Sequence, residues 1–213
     1  MENNLTIKKN CSYEMIIKKS RFICSLARIK SEQDAQDFIN QIQTDNRKAN
    51  HNCFAYMIGK DDRIQRESDN GEPSGTAGVP ILQALQMEHL HDVCAVVTRY
   101  FGGIKLGAGG LIRAYSNVTT GAIHESGIVN RVIQSILTIT VDYSEHDALT
   151  YYLKQHNLEI DHEEYGVKVA LTIFVDQDQQ DTVKDDLTNR FNDHLQVSLA
   201  GQRIHEIPFT IPK

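Results

Sequence analysis

The 213-residue sequence lacks the features that mark membrane, secreted and fibrous proteins. No apolar run approaches the ~20 residues of a membrane-spanning helix, and the first residues include no apolar stretch typical of a secretory signal. The 4 prolines and 13 glycines are too few for a collagen-like or low-complexity chain. With 40% hydrophobic and 23% charged residues, the composition predicts a soluble, cytoplasmic globular protein that does not contact membranes.

Cysteine is also sparse. The four cysteines form no C-x-x-C pair and stand alone in the sequence: Cys11, Cys24, Cys53 and Cys94. Without a secretion signal, this pattern predicts reduced thiols and no disulfide framework. Cys53 lies at the edge of an apolar strand, where a cysteine is typically a small buried hydrophobe. A zinc site needs four ligands in recognisable pairs, and the sequence around His51 or His89 does not provide them. We therefore predict no metal and no cofactor.

Charge is distributed unevenly along the chain. Residues 1–132 carry 16 Lys+Arg against 14 Asp+Glu, a net charge of +2, whereas residues 133–213 carry 6 against 14, a net charge of −8. A segment of charge −8 repels polyphosphate. We therefore expect any nucleic-acid contact to come from a local patch of the first part, and the acidic second part to face a protein partner or to limit promiscuous RNA binding.

The first part alternates strand and helix patterns. Ser31 with Asp34 forms a capping-box pattern, and apolar residues at helical spacing follow to about Asn46. Val93–Thr98 is almost purely apolar and predicts a buried central strand. After a glycine-rich segment, apolar residues at helical spacing predict a helix that runs to about Ser126.

The second part predicts the order β-α-β-β-α-β, the ferredoxin-like split-βαβ arrangement. Ser144 with Asp147 predicts the start of its first helix, and Val167–Val175 alternates as a half-buried strand does. We therefore predict an α+β protein with two domains, residues 1–131 and residues 132–213.

Two glycine-rich loops, residues 68–78 and 99–110, each precede a predicted helix. A helix N-terminus offers unpaired N–H groups and a positive dipole end, and glycine lets the backbone approach an anion closely. One interpretation is a phosphate site shared by both loops; the other is that the glycines only permit tight turns, with the arginines in solvent or in ion pairs. The candidate anion- or nucleic-acid-binding residues are Ser74, Gly75, Thr76, Arg99, Lys105, Gly107, Gly109, Gly110 and Arg113.

Neither loop matches a standard catalytic or nucleotide motif. In a P-loop the lysine follows the final glycine, whereas Lys105 precedes the last glycines of its loop. A dinucleotide fingerprint needs glycine or alanine where Ile112 stands. A nucleophile elbow around Ser74 needs glycines at the positions of Glu72 and Thr76. We assign no catalytic residue.

Three segments closely resemble the signature blocks of the YigZ/Impact family: Asp69–Leu82 (DNGEPSGTAGVPIL), Val97–Tyr115 (VTRYFGGIKLGAGGLIRAY) and His51–Tyr56 (HNCFAY). This resemblance implies an N-terminal domain like the second domain of a small-subunit ribosomal protein and domain IV of elongation factor G. It also implies a C-terminal ferredoxin-like domain similar to another domain of that factor. The eukaryotic Impact protein is a translational regulator.

The leading hypothesis from these observations is a non-enzymatic regulatory protein that binds RNA or the ribosome. Two alternatives stay open. One is a small-molecule or peptide-processing enzyme, hydrolase-like, that uses the same loops as an anion cradle; it predicts turnover abolished by Ser74→Ala. The other is a regulatory protein–protein interaction module; its binding to a protein partner would survive nuclease treatment.

Overall fold

Within the described residues the chain forms two antiparallel sheets and five α-helices, which confirms the predicted α+β class. The computed structural model describes residues 4–191 and 194–210. One compact unit runs to Arg131 and resumes at Ile207, and the other spans Val132–Glu206. None of the helices in the described ranges has the length and apolarity that a membrane span requires.

The first unit is built around a five-stranded antiparallel sheet. The elements are β1 (Leu5–Ile7), β2 (Cys11–Ile17), β3 (Ser20–Arg28), α1 (Glu32–Asp45), β4 (His51–Ile58), β5 (Ile64–Ser68), α2 (Gly78–Met87), β6 (Val93–Tyr100) and α3 (Ala108–Ser126). The sheet order is β2-β3-β6-β4-β5. Strand β1 is separate from it and pairs with the start of β7 (Ile128–Val141).

Strand β6 is apolar from Val93 to Val97 because helices cover both faces of its sheet. Val93, Ala95 and Val97 pack in the core with residues of α2 and α3, whereas Cys94 and Val96 pack in a second core with residues of α1. The predicted buried central strand is confirmed. Side chains alternate between the two faces of a strand. In a sheet that is buried on both faces, a central strand therefore shows no alternation of apolar and polar residues.

The second unit has the predicted order of elements. Its remaining elements are α4 (His146–Gln155), β8 (Ile160–Tyr165), β9 (Val169–Asp176), a 3₁₀ turn (Gln177–Gln179), α5 (Gln180–Arg190) and β10 (Leu195–Phe209). Strand β9 lies between β7 and β8, and β10 pairs with β7, so the β7–α4–β8 unit is split by an intervening strand. The resemblance of the two domains to ribosomal-protein and elongation-factor domains stays a prediction.

The predicted serine cap at the helix N-terminus was correct for one helix and wrong for another. The Ser31 hydroxyl caps α1 by accepting a hydrogen bond from the Asp34 N–H at 3.1 Å. Helix α4, in contrast, begins after Glu145 and has no side-chain cap, so the predicted capping role of Ser144 is wrong. A serine followed by an acidic residue predicts a cap only where the backbone actually enters the helix at that serine.

Candidate nucleic-acid interface

The first glycine-rich loop is closed onto its own helix by Asp69. One carboxylate oxygen of Asp69 accepts the Gly75 N–H at 2.8 Å, and the other accepts the Ala77 and Gly78 N–H groups at 2.9 Å each. Burial by itself raises the pKa of this carboxyl, but the backbone hydrogen bonds outweigh it and lower the pKa below its usual value. The anion at the N-terminus of α2 is therefore the protein's own carboxylate.

Three predicted site residues belong to this closed loop. The Gly75 N–H is bonded to Asp69, and the buried Thr76 hydroxyl donates to the Pro73 carbonyl at 2.6 Å. Ser74 is exposed, and its hydroxyl has no hydrogen-bond partner in residues 4–191 and 194–210. Of the three predicted site residues in this loop, Ser74 thus keeps a free side-chain donor.

Arg99 at the end of β6 is buried in an ion pair that joins the two loops. Its Nη1 lies 2.5 Å from the Glu72 Oε1 of the first loop, and the Tyr115 hydroxyl donates to the same oxygen at 2.9 Å. The guanidinium lies between the rings of Phe22 and Phe101, 5.2 and 5.5 Å from their centroids. Sequence reasoning missed Glu72 because no local pattern marks a partner 27 residues away.

Cys53 lies beneath this pair as a buried, protonated thiol. Burial is the largest of the effects that raise its pKa, to about 12, so little thiolate forms near neutral pH. The thiol donates to the Asp69 carbonyl at 2.9 Å and contributes to the core. The expectation of a buried apolar cysteine is confirmed.

The second glycine-rich loop leads into a helix that has no cap. Helix α3 follows Gly107, whose φ of +72° favours glycine, and neither a side-chain cap nor an acidic residue is present in the first turn. The Leu111 N–H bonds back to the Gly107 carbonyl at 3.0 Å. The preceding N–H groups, those of Gly109 and Gly110 included, have no acceptor within the described part of the chain, so they are available to an external anion.

The turn between β2 and β3 packs against this loop. A Cβ atom on Gly102 would lie 2.0 Å from the Lys19 carbonyl, so only glycine fits there. The Gly102 N–H also donates to the Ser20 hydroxyl at 3.2 Å. The contact brings Lys18 and Lys19 to the second loop.

Four exposed cations surround the N-terminus of α3: Lys18, Lys19, Lys105 and Arg113. We call these four residues, with the α3 N-terminus, the basic surface. None of them has a carboxylate partner in the ranges that the structure describes. Sequence reasoning found Lys105 and Arg113 but missed Lys18 and Lys19, because their turn reaches this loop only through a contact between residues 82 positions apart.

Two neighbouring cavities lie on this side of the first unit and share Leu106. Arg99, Lys105 and Gly107 line a cavity of about 430 Å³. Gly110 and Arg113, with Lys18, line a smaller one of about 250 Å³. Five of the six predicted site residues of the second loop thus line these two cavities, whereas Gly109 and the first-loop residues Ser74, Gly75 and Thr76 line neither.

Known proteins are similar to this chain over most of its length. Residues 18–123 match the Impact N-terminal domain, and residues 139–193 match a domain of unknown function, DUF1949. The sequence is 41% identical over 192 residues to the IMPACT family member YvyE of Bacillus subtilis (strain 168), covering 90% of this chain and 88% of that protein. It is 34% identical over 159 residues to the IMPACT family member YigZ of Escherichia coli (strain K12), covering 74% of this chain and 78% of that protein.

A solved structure of a hypothetical protein is also similar, with a TM-score of 0.60 and 29% sequence identity over 92% of this chain and 97% of the other. The Impact N-terminal match includes the sequence blocks around the two glycine-rich loops. This chain belongs to the IMPACT family.

Proposed function

We propose that this protein is a non-enzymatic regulator that binds RNA of the translation machinery, and that its basic surface holds RNA phosphates. The observation that carries the proposal is the N-terminus of α3, which has free N–H groups, no acidic residue in its first turn and unpaired cations around it. Backbone N–H groups, lysines and arginines are the usual partners of nucleic-acid phosphates, and such contacts fix position without reading sequence.

Charge supports the same surface. The first part of the chain has a net charge of only +2, so attraction must come from a local cluster. Lys105 and Arg113 flank the positive end of a 19-residue helix, where the helix dipole adds to their field. The resemblance to a family that includes a translational regulator makes ribosomal or messenger RNA the expected ligand.

The test is binding of a fluorescent single-stranded RNA at several salt concentrations, together with co-sedimentation with ribosomes. Each phosphate contact contributes about −0.7 to the slope of log K against log salt for single strands. We expect Lys105→Ala/Arg113→Ala to weaken binding and to make this slope less steep by about 1 to 2 units.

The matched control is Lys8→Ala/Lys9→Ala, which removes two exposed positive charges near Gly127 at the opposite end of α3. A 19-residue helix is roughly 27 Å long, beyond the ~8 Å over which physiological salt screens charge. The control variant should keep most of the affinity and its salt slope. Equal losses in both variants would show that only total charge matters and would contradict the proposed surface.

Binding to ribosomes that survives nuclease treatment and is unchanged in Lys105→Ala/Arg113→Ala would instead favour a protein partner. The acidic second unit would then be the part to test. No binding to RNA or to ribosomes at low salt would reject the proposal.

A further inference from the structure

The larger of the two cavities has the size and lining of a small-ligand site. Its volume of about 430 Å³ falls within the roughly 300–1,000 Å³ of typical ligand pockets. The wall combines apolar and polar groups. The lining residues are Asn50, His51, Glu72, Pro73, Arg99, Phe101, Lys105, Leu106, Gly107, Ala108 and Leu111.

One end of this cavity is suited to an anion. Gly107 and Ala108 bring the uncapped N-terminus of α3 to it, and exposed Lys105 adds a positive charge. The charges of Arg99 and Glu72 largely cancel in their ion pair, so the helix end and Lys105 set the sign of the field.

Arg99 supplies a second, independent indication of a ligand. Its side chain is only 6% exposed, yet its buried Nε has no hydrogen-bond partner in the described residues. Buried donors are almost always satisfied in native proteins, and an orphan donor beside a cavity indicates a missing partner. Nε itself has no exposed surface, so a ligand oxygen would reach it only after a shift of the Arg99 side chain toward the cavity.

A planar ring fits beside the anion end. The Phe101 side chain lies at the cavity wall and is 45% exposed, and the Arg99 guanidinium lies 5.5 Å from its ring centroid. An exposed aromatic face of this kind is a platform on which a nucleobase stacks. Leu106 and Leu111 extend the apolar wall.

His51 and Glu72 add polar atoms to the wall of this cavity. The His51 Nδ1 lies 3.0 Å from the Asn70 carbonyl oxygen, which can only accept, so Nδ1 donates to it and Nε2 is left for another partner. Glu72 Oε2 lies 3.9 Å from this Nε2, too far for a hydrogen bond between them. A sugar hydroxyl or base amine that donates to either atom would satisfy it.

We propose that this cavity binds a nucleoside 5′-monophosphate, free or as the 5′ end of an RNA, with the phosphate at the N-terminus of α3 and the base on Phe101. A terminal phosphate monoester carries close to two negative charges at pH 7, whereas an internal diester carries one. A 5′-terminal nucleotide also has the rest of the RNA chain on one side only, so the chain needs a single exit from the cavity. The RNA-end form rests on the RNA binding proposed above.

The test compares two RNA octamers of identical sequence, one with a 5′-phosphate and one with a 5′-hydroxyl, with adenosine 5′-monophosphate and adenosine as the free counterparts. We expect the 5′-phosphate to tighten binding about tenfold, as charge-assisted hydrogen bonds do. Phe101→Ala/Lys105→Ala should abolish this preference, and Tyr151→Ala, which removes an exposed aromatic side chain from the second unit, should keep it.

Each outcome is decisive. Equal affinity for the two octamers, with no binding of the free monophosphate, would overturn the cavity proposal while leaving RNA binding intact. Binding of adenosine 5′-monophosphate but not of adenosine or either octamer would support the cavity in its free-nucleotide form and reject RNA binding. Failure of every phosphorylated probe to bind would overturn the cavity proposal in both forms.

Discussion

The two glycine-rich loops look alike in the sequence but differ in what occupies the helix that follows each of them. The N-terminus of α2 is filled by the carboxylate of Asp69, which accepts three backbone N–H groups. The N-terminus of α3 begins at a glycine, with neither a side-chain cap nor an acidic residue. A helix N-terminus therefore becomes a site for an external anion only where the chain supplies no anion of its own.

The ion pair between Glu72 and Arg99 connects the loops, and its loss should give the largest effect. Removing one partner of a buried pair leaves an uncompensated buried charge, which costs about 3–5 kcal/mol. We expect Glu72→Leu to lower the free energy of unfolding by this amount in urea titrations. The double variant Glu72→Leu/Arg99→Leu should be less destabilised than Glu72→Leu, and the opposite order would show that the pair is not the main interaction.

Asp69→Ala should open the closed loop. Three backbone N–H groups would lose their acceptor, and we expect a loss of about 1–3 kcal/mol in unfolding free energy. Added phosphate should then raise the melting temperature of this variant more than that of the wild type, because the anion can take the place of the carboxylate. Asp37→Ala, an exposed change on α1, is the control and should show neither effect. A phosphate response equal to wild type would contradict the comparison of the two helix ends.

The turn between β2 and β3 tests the basic surface at the second loop. Lys18 and Lys19 have positive φ angles of 45° and 65°, which Asn-Gly adopts far more readily. Replacing them by Lys18→Asn/Lys19→Gly should therefore stabilise the fold by about 1 kcal/mol and at the same time weaken RNA binding. Thermal unfolding and the RNA titration measure the two changes. Stabilisation without any loss of RNA affinity would remove these lysines from the basic surface.

The smallest expected effect is a pH dependence that belongs to Asp69. Its pKa is lower in the folded protein than in the unfolded chain, so the unfolded state binds more protons between the two values. The stability that Asp69 adds is therefore complete above the unfolded pKa of about 3.9 and is lost as the pH falls through the folded value. The difference in unfolding free energy between wild type and Asp69→Asn should shrink below about pH 4. A difference independent of pH would contradict the role of the charged carboxylate.

Sequence patterns located the elements well where one local signal decides the structure. The Ser31 cap and the apolar run of β6 both act within a few residues, and each was correctly interpreted. The short strand β1 was missed because three residues carry no periodicity. Ser144 misled because its pattern matches a cap while the helix begins after Glu145.

The candidate site was predicted in part. Lys105, Gly107, Gly109, Gly110 and Arg113 were chosen from composition and spacing, and the structure groups them at one helix end. Lys18 and Glu72 reach that region from other parts of the chain, so no spacing rule could have placed them there.

By itself, the sequence determined the family, the α+β class and the order of the elements in the second unit, because these follow from motifs and from hydrophobic periodicity. Only the tertiary structure decided which glycine-rich loop is open. That choice depends on whether a carboxylate reaches the N–H groups of the following helix, as Asp69 does at α2. The tertiary structure also decided that Arg99 pairs with Glu72, and a charge buried against its partner no longer acts at the surface.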